Sequence, residues 1–203
     1  WVWRWKNHID TAFMQRYPEM DIELLLTDAC LDLVAERIDV AIRLGALRDT
    51  SQIAARLSSA PFRVCASPGY LARHGVPVRP AELAQRDCMH LNLTDFSHWR
   101  FRDRRGRIER VKVHSRVVIS NTHALKQCAM SDMGIALLPE WMVGRELANG
   151  ELVALFNTYT VGVTEFEIPV WMLYISRRHL PLKVRVFVEY MQEQFQKKPP
   201  WHR

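Results

Sequence analysis

The chain has 203 residues, 48% hydrophobic and 25% charged, with a formal net charge of +6. That length can bury the core of one large or two small domains, and that composition excludes a disordered or fibrous chain. No segment approaches the roughly 18 apolar residues of a membrane helix, and the first residues show no apolar stretch with a small-residue cleavage site, so a cytoplasmic protein without a membrane partner is expected.

The opening WVWRWK reads either as an aromatic-rich strand or as a remnant of a cut chain. Asn7 caps a helix through Ile9, Ala12, Phe13 and Tyr17, which Pro18 ends. Residues 22–26 are apolar apart from Glu23, Asp28 is placed to cap a helix, Leu31, Val34 and Ile38 recur at helical spacing, and residues 40–44 are apolar apart from Arg43. The pattern predicts strand, helix, strand. A crossover of about 20 residues implies parallel pairing, which carries the helix start and the end of the second strand to the carboxyl edge where ligands bind. There Arg43 beside a helix N-terminus is a receptor for carboxylate or phosphate, or else a solvated strand-end residue.

After the loop LRDTSQ, residues 62–66 read as a strand, and Ser67-Pro68 opens a short helix that Gly75 and Pro77 break. Pro80 begins another, PAELAQ, of a turn or two. WRFRDRRGRIERVKV carries Arg100, Arg102, Arg104, Arg105, Arg107, Arg110 and Lys112 around the turn Asp103-Arg104-Arg105-Gly106. Alternation on a hairpin turns its aromatic and apolar residues to one face and leaves the arginines in water, either as a solvated face or as a nucleic-acid contact.

A second strand–helix–strand follows. Val117, Val118 and Ile119 form the first strand, and Ser120 or Asn121 caps. Ala124, Leu125, Cys128 and Ala129 line one helix face, Gly134 supplies the left-handed end, and IALLP returns. Two such units nearly 80 residues apart imply two sheets with a cleft between them. Asn149-Gly150 stops a helix from Glu140, and residues 152–156 are a strand. IPVWMLYIS is a long apolar strand with proline near its start, and Pro181 opens a last helix with Val184, Phe187, Val188, Met191 and Phe195 on one stripe. The tail KKPPWHR reads as frayed.

Cys30, Cys65, Cys88 and Cys128 are scattered without a Cys-x-x-Cys pair, and the eight histidines are dispersed, so neither a metal nor a redox dithiol is signalled. Cys88-Met89-His90 is the nearest approach to a ligand set. No Gly-rich phosphate loop, G-x-S-x-G elbow or H-E-x-x-H helix occurs. No catalytic residue, metal or cofactor is expected.

The segments RYPEMDIELLLTD, DLVAERIDVAIRLG, VCASPGYLARHG, SNTHALKQCAMSDMGIALLPEW and HLPLKVRVFVEYM, in this order, resemble the effector-binding domain of LysR-type transcriptional regulators. They are most similar to the branch with a WRF hairpin in mid-domain, and the resemblance spans residues 9–195. It implies an α/β fold of the type 2 periplasmic-binding-protein kind, with two Rossmann-like subdomains joined by two crossover strands. Regulatory subdomain I would be residues 1–65 plus 170–203 and subdomain II residues 66–169, with crossovers near residues 64–67 and 168–171. It also implies effector contacts from the loop after the first strand, Thr27, Asp28, Arg43, Leu44, Gly45, Ser67, Pro68, Asn121, Thr122 and His123. For Asn121 a plain helix cap is the other reading, and for His123 a surface or capping role.

The implied partner is a small-molecule effector, an organic acid, bridging Asp28 and Arg43 to Asn121 and Thr122. The implied assembly is a homodimer, or a tetramer of the intact regulator, in which the helix around Phe13 meets the helix around Leu125 of another subunit. DNA would be reached only through an N-terminal winged helix-turn-helix that this chain lacks, so operator binding by the chain alone is not expected. The family's polar loop after the first strand is also replaced here by WVWRWKN. A free solute-binding protein and a small-acid enzyme are the alternatives on the same scaffold.

Overall fold

The computed structural model describes residues 12–29, 31–45, 47, 52–92, 96–166, 168–175 and 180–197. The opening aromatic segment, the Asn7 cap, Cys30 and the tail after Lys197 lie outside them. Along the chain come α1 (Met14–Arg16), β1 (Val40–Leu44), β2 (Ile53–Ala60), β3 (Phe62–Ala66), α2 (Pro68–His74), a 3-10 helix (Pro80–Gln85), β4 (Cys88–Leu91), β5 (His98–Arg102) and β6 (Ile108–Lys112). Then follow β7 (Ser115–Ile119), α3 (Thr122–Met130), β8 (Ile135–Pro139), α4 (Glu140–Ala148), β9 (Val153–Leu155), β10 (Thr160–Gly162), β11 (Ile168–Tyr174) and α5 (Leu182–Lys197). They form two compact units, Trp1–Ala60 with Ile168–Arg203, and Pro61–Glu167.

The first unit holds a three-stranded sheet, β1-β11-β2, antiparallel throughout. Its central strand is the apolar IPVWMLY, with Val170, Met172 and Leu173 buried. Pro169 lies at its start, beyond the last β1 pairing of Leu44 with Val170, where the missing N–H costs no ladder bond to β1. The stripe on α5 is as the spacing predicts: Val184, Val188, Met191 and Phe195 are buried, each worth about 1.5–3 kcal/mol relative to exposure. Phe13 is fully buried, edge-on to Phe187 at 5.3 Å and to Tyr190 at 4.9 Å.

Here the reading of residues 22–44 as strand, helix, strand needs correction. Only the final strand exists, and its partner is the antiparallel β11. Residues 21–27 join no ladder, and Leu24, Leu25 and Leu26 are 39%, 59% and 49% exposed. In place of a helix there is one turn over residues 33–37, capped by Asp32 rather than Asp28. The Asp32 carboxylate accepts the N–H groups of Val34 at 2.8 Å and Ala35 at 3.3 Å, and Arg37 ends the turn at φ +54°. The physical reason is burial. Of the turn's apolar residues Leu33 is enclosed but Val34 is 66% exposed, and a short helix with its stripe in water does not persist.

The second unit is one mixed sheet in the order β6-β5-β10-β3-β8-β4-β7, with β9 also on β3. β4 runs parallel to both β7 and β8, so β7-α3-β8 is a crossover spanning one intervening strand, and β3 is antiparallel to β8. All five residues of IALLP are buried, as in a strand covered on both faces. Leu125 and Ala129 of α3 pack with Cys65, Met89, Leu91, Ala136, Leu138 and Val143 in the core.

The turn from α3 into β8 ends the helix with Asp132 at φ +62°, while the Met133 N–H reaches back to the Cys128 carbonyl at 3.2 Å. The left-handed helix-end residue is therefore Asp132, two positions before the glycine expected there. Gly134 is needed for another reason: a Cβ on it would lie 2.5 Å from the Asp87 carbonyl oxygen. The hairpin is as the sequence predicts. Trp99, Phe101 and Val111 are buried, Arg100 faces Arg110 across the ladder, and the Asp103 carboxylate accepts the Arg105 and Arg107 N–H groups. The strand β2, eight residues long, was not anticipated.

Candidate ligand-binding site

In the second unit the carboxyl ends of β4 and β7 coincide, since Leu91 pairs with Ile119 and the Asn92 N–H donates to the Ile119 carbonyl at 2.7 Å. From this edge α3 begins. Asn121 is its N-cap: the side-chain oxygen accepts the Ala124 N–H at 2.9 Å, and the Asn121 carbonyl accepts that of Leu125 at 3.0 Å. The side-chain carboxamide still has two N–H donors beside a helix start whose first-turn N–H groups point outward. Of the neighbours, Thr122 is buried and His123 half-buried. Asn92 and His90 share this edge and were not singled out by sequence. The signal was there, in a polar residue directly after Leu91, the last residue of β4.

Ser67 and Pro68 are not brought to this edge. Phe62 of β3 pairs with Pro139 and Cys65 with Ala136 in antiparallel sense, while β8, β4 and β7 run together. The end of β3 therefore lies at the opposite edge of the sheet, about 15–20 Å away at 3.3 Å per residue. Ser67 has work there. Its hydroxyl caps α2 by accepting the Tyr70 N–H at 3.3 Å and donates to Asp132 at 2.5 Å, where Arg73 joins at 3.0 Å. The bond from Ser67, followed by the bond and charge of Arg73, holds the Asp132 carboxyl below its ordinary range.

In the first unit Thr27 makes a local turn, its hydroxyl oxygen accepting the Ala29 N–H at 3.1 Å. Arg43 donates to the Leu31 carbonyl, which ties the strand to the loop carrying Thr27 and Asp28. Among the described residues no helix starts beside Arg43, so no helix dipole adds to its charge there. Leu44 pairs with Val170, and both backbone groups of Gly45 are taken, its N–H by the Pro169 carbonyl at 3.0 Å and its carbonyl by the Trp171 indole at 3.1 Å. Gly45 sits at φ +97°, the conformation that favours glycine.

Among the described residues no three His, Cys, Asp or Glu side chains gather as a metal site, and no helix is long and apolar enough to cross a membrane. Burial pushes the Cys65 and Cys88 thiols up to about 12, with nearby Glu146 and Asp87 adding to it respectively. The site at the β4–β7 edge is thus a hydrogen-bonding surface of amide, imidazole and helix start, suited to holding a small polar guest.

A family model described as the LysR substrate binding domain matches residues 8–196. The chain belongs to this family. Among curated relatives of this LysR domain, the HTH-type transcriptional regulator PtxR of Pseudomonas aeruginosa is 32% identical over 194 residues, 95% of this chain and 61% of PtxR. The HTH-type transcriptional regulator CrgA of Neisseria meningitidis is 32% identical over 187 residues, 91% of this chain and 60% of CrgA. The chain thus spans about three fifths of the length of these relatives.

Among solved structures, the CrgA regulatory domain superposes with a TM-score of 0.82 at 28% identity, covering 96% of this chain and 93% of that one. Full-length AphB, a Vibrio cholerae virulence activator, gives 0.80 at 26% identity, covering 96% of this chain and 65% of AphB. The fold is therefore the periplasmic-binding-protein-like α/β fold of LysR regulatory domains. Relatives and neighbours alike are transcriptional regulators rather than enzymes.

Proposed function

We propose that this LysR-family domain senses a small organic acid and passes the result to a DNA-binding domain of the intact regulator, which is a cytoplasmic homodimer or tetramer. The observation that carries the reading is the Asn121-capped start of α3 at the shared carboxyl edge of β4 and β7. A carboxylate there takes hydrogen bonds from the Asn121 amide and from helix-start N–H groups whose dipole favours an anion. His123 and Asn92 complete the second unit's contribution. In the first unit, taken by itself, we assign Thr27, Asp28, Arg43, Leu44 and Gly45 as candidate contacts, and in the second we leave Ser67 and Pro68 out because they lie at the other edge of its sheet.

An effector of this kind acts by favouring one arrangement of the protein over another, by no more than its difference in affinity for the two. For the dimer we assign the outward faces of α1 and α3, since the Phe13 and Leu125 side chains are already buried in their own units. Sedimentation giving only monomer at tens of micromolar would remove this part.

A thermal-shift screen of aromatic and aliphatic carboxylates tests the sensing role. A ligand at 100 times its Kd adds about 2.7 kcal/mol to folding stability, a rise of several degrees for a chain of this size. The same compounds should show no turnover. A screen in which none of them shifts the midpoint would contradict the organic-acid reading, and catalytic consumption of a hit would favour the small-acid enzyme. The relatives are regulators, which weighs against a free solute-binding protein.

A further inference from the structure

The basic character of this protein comes almost wholly from one hairpin. Residues 100–112 hold seven arginines and lysines against two acids, a net of +5 in a chain whose total is +6. Alternation sorts them. Because Trp99, Phe101 and Val111 point into the core, Arg100, Arg102, Arg110 and Lys112 share the outer face, and the tip adds Arg104, Arg105 and Arg107. The two acids do little to neutralise them. Asp103 is occupied in the turn by the Arg105 and Arg107 N–H groups, and Glu109 lies across from Phe101, out of register with the outer row.

Arg104, Arg105, Arg107, Arg110 and Lys112 are exposed, and their side chains make no hydrogen bond or ion pair among the described residues. Arg100 and Arg102 are held instead, with their guanidinium groups over the Phe166 ring at 4.9 and 4.5 Å and Arg100 donating to the Thr164 carbonyl. Arg100 also stands directly opposite Arg110. Like charges so placed destabilise a sheet, and among the described residues no carboxylate pairs with either. A bound polyanion would.

We infer that this hairpin is an accessory contact for the phosphate backbone of duplex DNA, independent of base sequence. The choice of partner rests on the transcriptional-regulator reading above, which puts DNA within the working assembly. The geometry suits it: five-residue strands run about 17 Å, the length of roughly five base pairs at 3.4 Å each. β6 is the edge strand of its sheet. Guanidinium groups bind phosphate in bidentate fashion, and a rigid hairpin presents several at once. The contact supplies affinity without specificity, since phosphates position a protein and base edges specify.

The test is fluorescence anisotropy of this chain with a labelled duplex of arbitrary sequence, over a salt series, against the triple variant Arg104→Ser, Arg105→Ser, Arg107→Ser. The substituted side chains are exposed and unpaired, so the melting temperature of the variant should equal that of the parent. The parent should bind in the ~10–100 μM range of non-specific contacts, with affinity falling steeply as salt rises. The triple variant should bind at least tenfold more weakly, with its log–log salt slope shallower by about 2.7, that is 0.9 per lost phosphate contact. Arg145→Ser, a cation outside the hairpin, should change neither. No binding at 50 mM salt, binding indifferent to the triple variant, or competition by polyglutamate as effective as by unlabelled duplex would overturn the inference. None of those results bears on the carboxylate-induced rise in melting temperature, which tests the sensing role separately.

Discussion

Glu146 is only 6% exposed, and its carboxyl nevertheless stays charged and is held below the ordinary carboxylate range. Burial acts to raise it. The hydrogen bond from Lys126 at 2.8 Å and that lysine's charge prevail. Removing one partner of such a pair leaves an uncompensated buried charge, so Lys126→Met should cost about 3 kcal/mol near neutral pH. The sign of its pH dependence follows from linkage. A depressed carboxyl contributes stability that is present above its unfolded value and lost as pH falls through the folded one. In the variant the Lys126 bond and charge are gone and burial is opposed only by the backbone hydrogen bond and the Arg145 charge, so the carboxyl rises relative to the parent and the gap in melting temperature should narrow on acidification. A gap that widened would contradict this account of the pair.

Two more residues make firm predictions. A Cβ on Gly134 meets the Asp87 carbonyl oxygen at 2.5 Å, a backbone atom unable to swing aside, and φ there is +156°. Gly134→Ala should therefore destabilise by about 2–4 kcal/mol in chemical denaturation. Cys65 and Cys88, with thiols pushed up to about 12, hold about one thiolate in ten thousand at pH 8. Both should resist alkylation in the folded protein and react freely in denaturant; ready labelling of the native chain would show that the core around β3 and β4 opens.

At the scale of elements, the legible parts were those with a partner to pack on. The spacing of Leu125 and Ala129, the Asn121 cap and the run IALLP are local signals that the sheet of the second unit rewards, and they appear as read. Asn121→Ala should lose the bond to Ala124 and cost about 1 kcal/mol, alongside any loss of ligand. The failure over residues 22–38 has the same logic. Leu24, Leu25 and Leu26 have every attribute of a strand except something to pair with, and Asp32 won the capping role because its carboxylate captures two N–H groups at once. Periodicity records what a segment could become; burial decides. β2 was missed for the converse reason, since IAARLSSA has no clean alternation and owes its ladder to the strongly apolar β11 beside it.

For the whole molecule, family and fold were legible because the quoted segments recur in order across nearly the full chain. The site was legible only in part. Sequence order makes Ser67 and Asn121 look equally close to a ligand, and only the antiparallel sense of β3 against the parallel β8, β4 and β7 reveals that they occupy opposite edges. A strand's direction relative to its neighbour is not written in its own residues. Likewise the bond from Arg43 to the Leu31 carbonyl is not written in the sequence around either residue, and it leaves the guanidinium further N–H donors.

The most direct test of the sensing role is a crystal structure of this chain with the carboxylate that most raises its melting temperature. Density for the ligand against the Asn121-capped start of α3, at the edge shared by β4 and β7, is the predicted result. Density at the Ser67 edge instead, or on a surface remote from both, would contradict it.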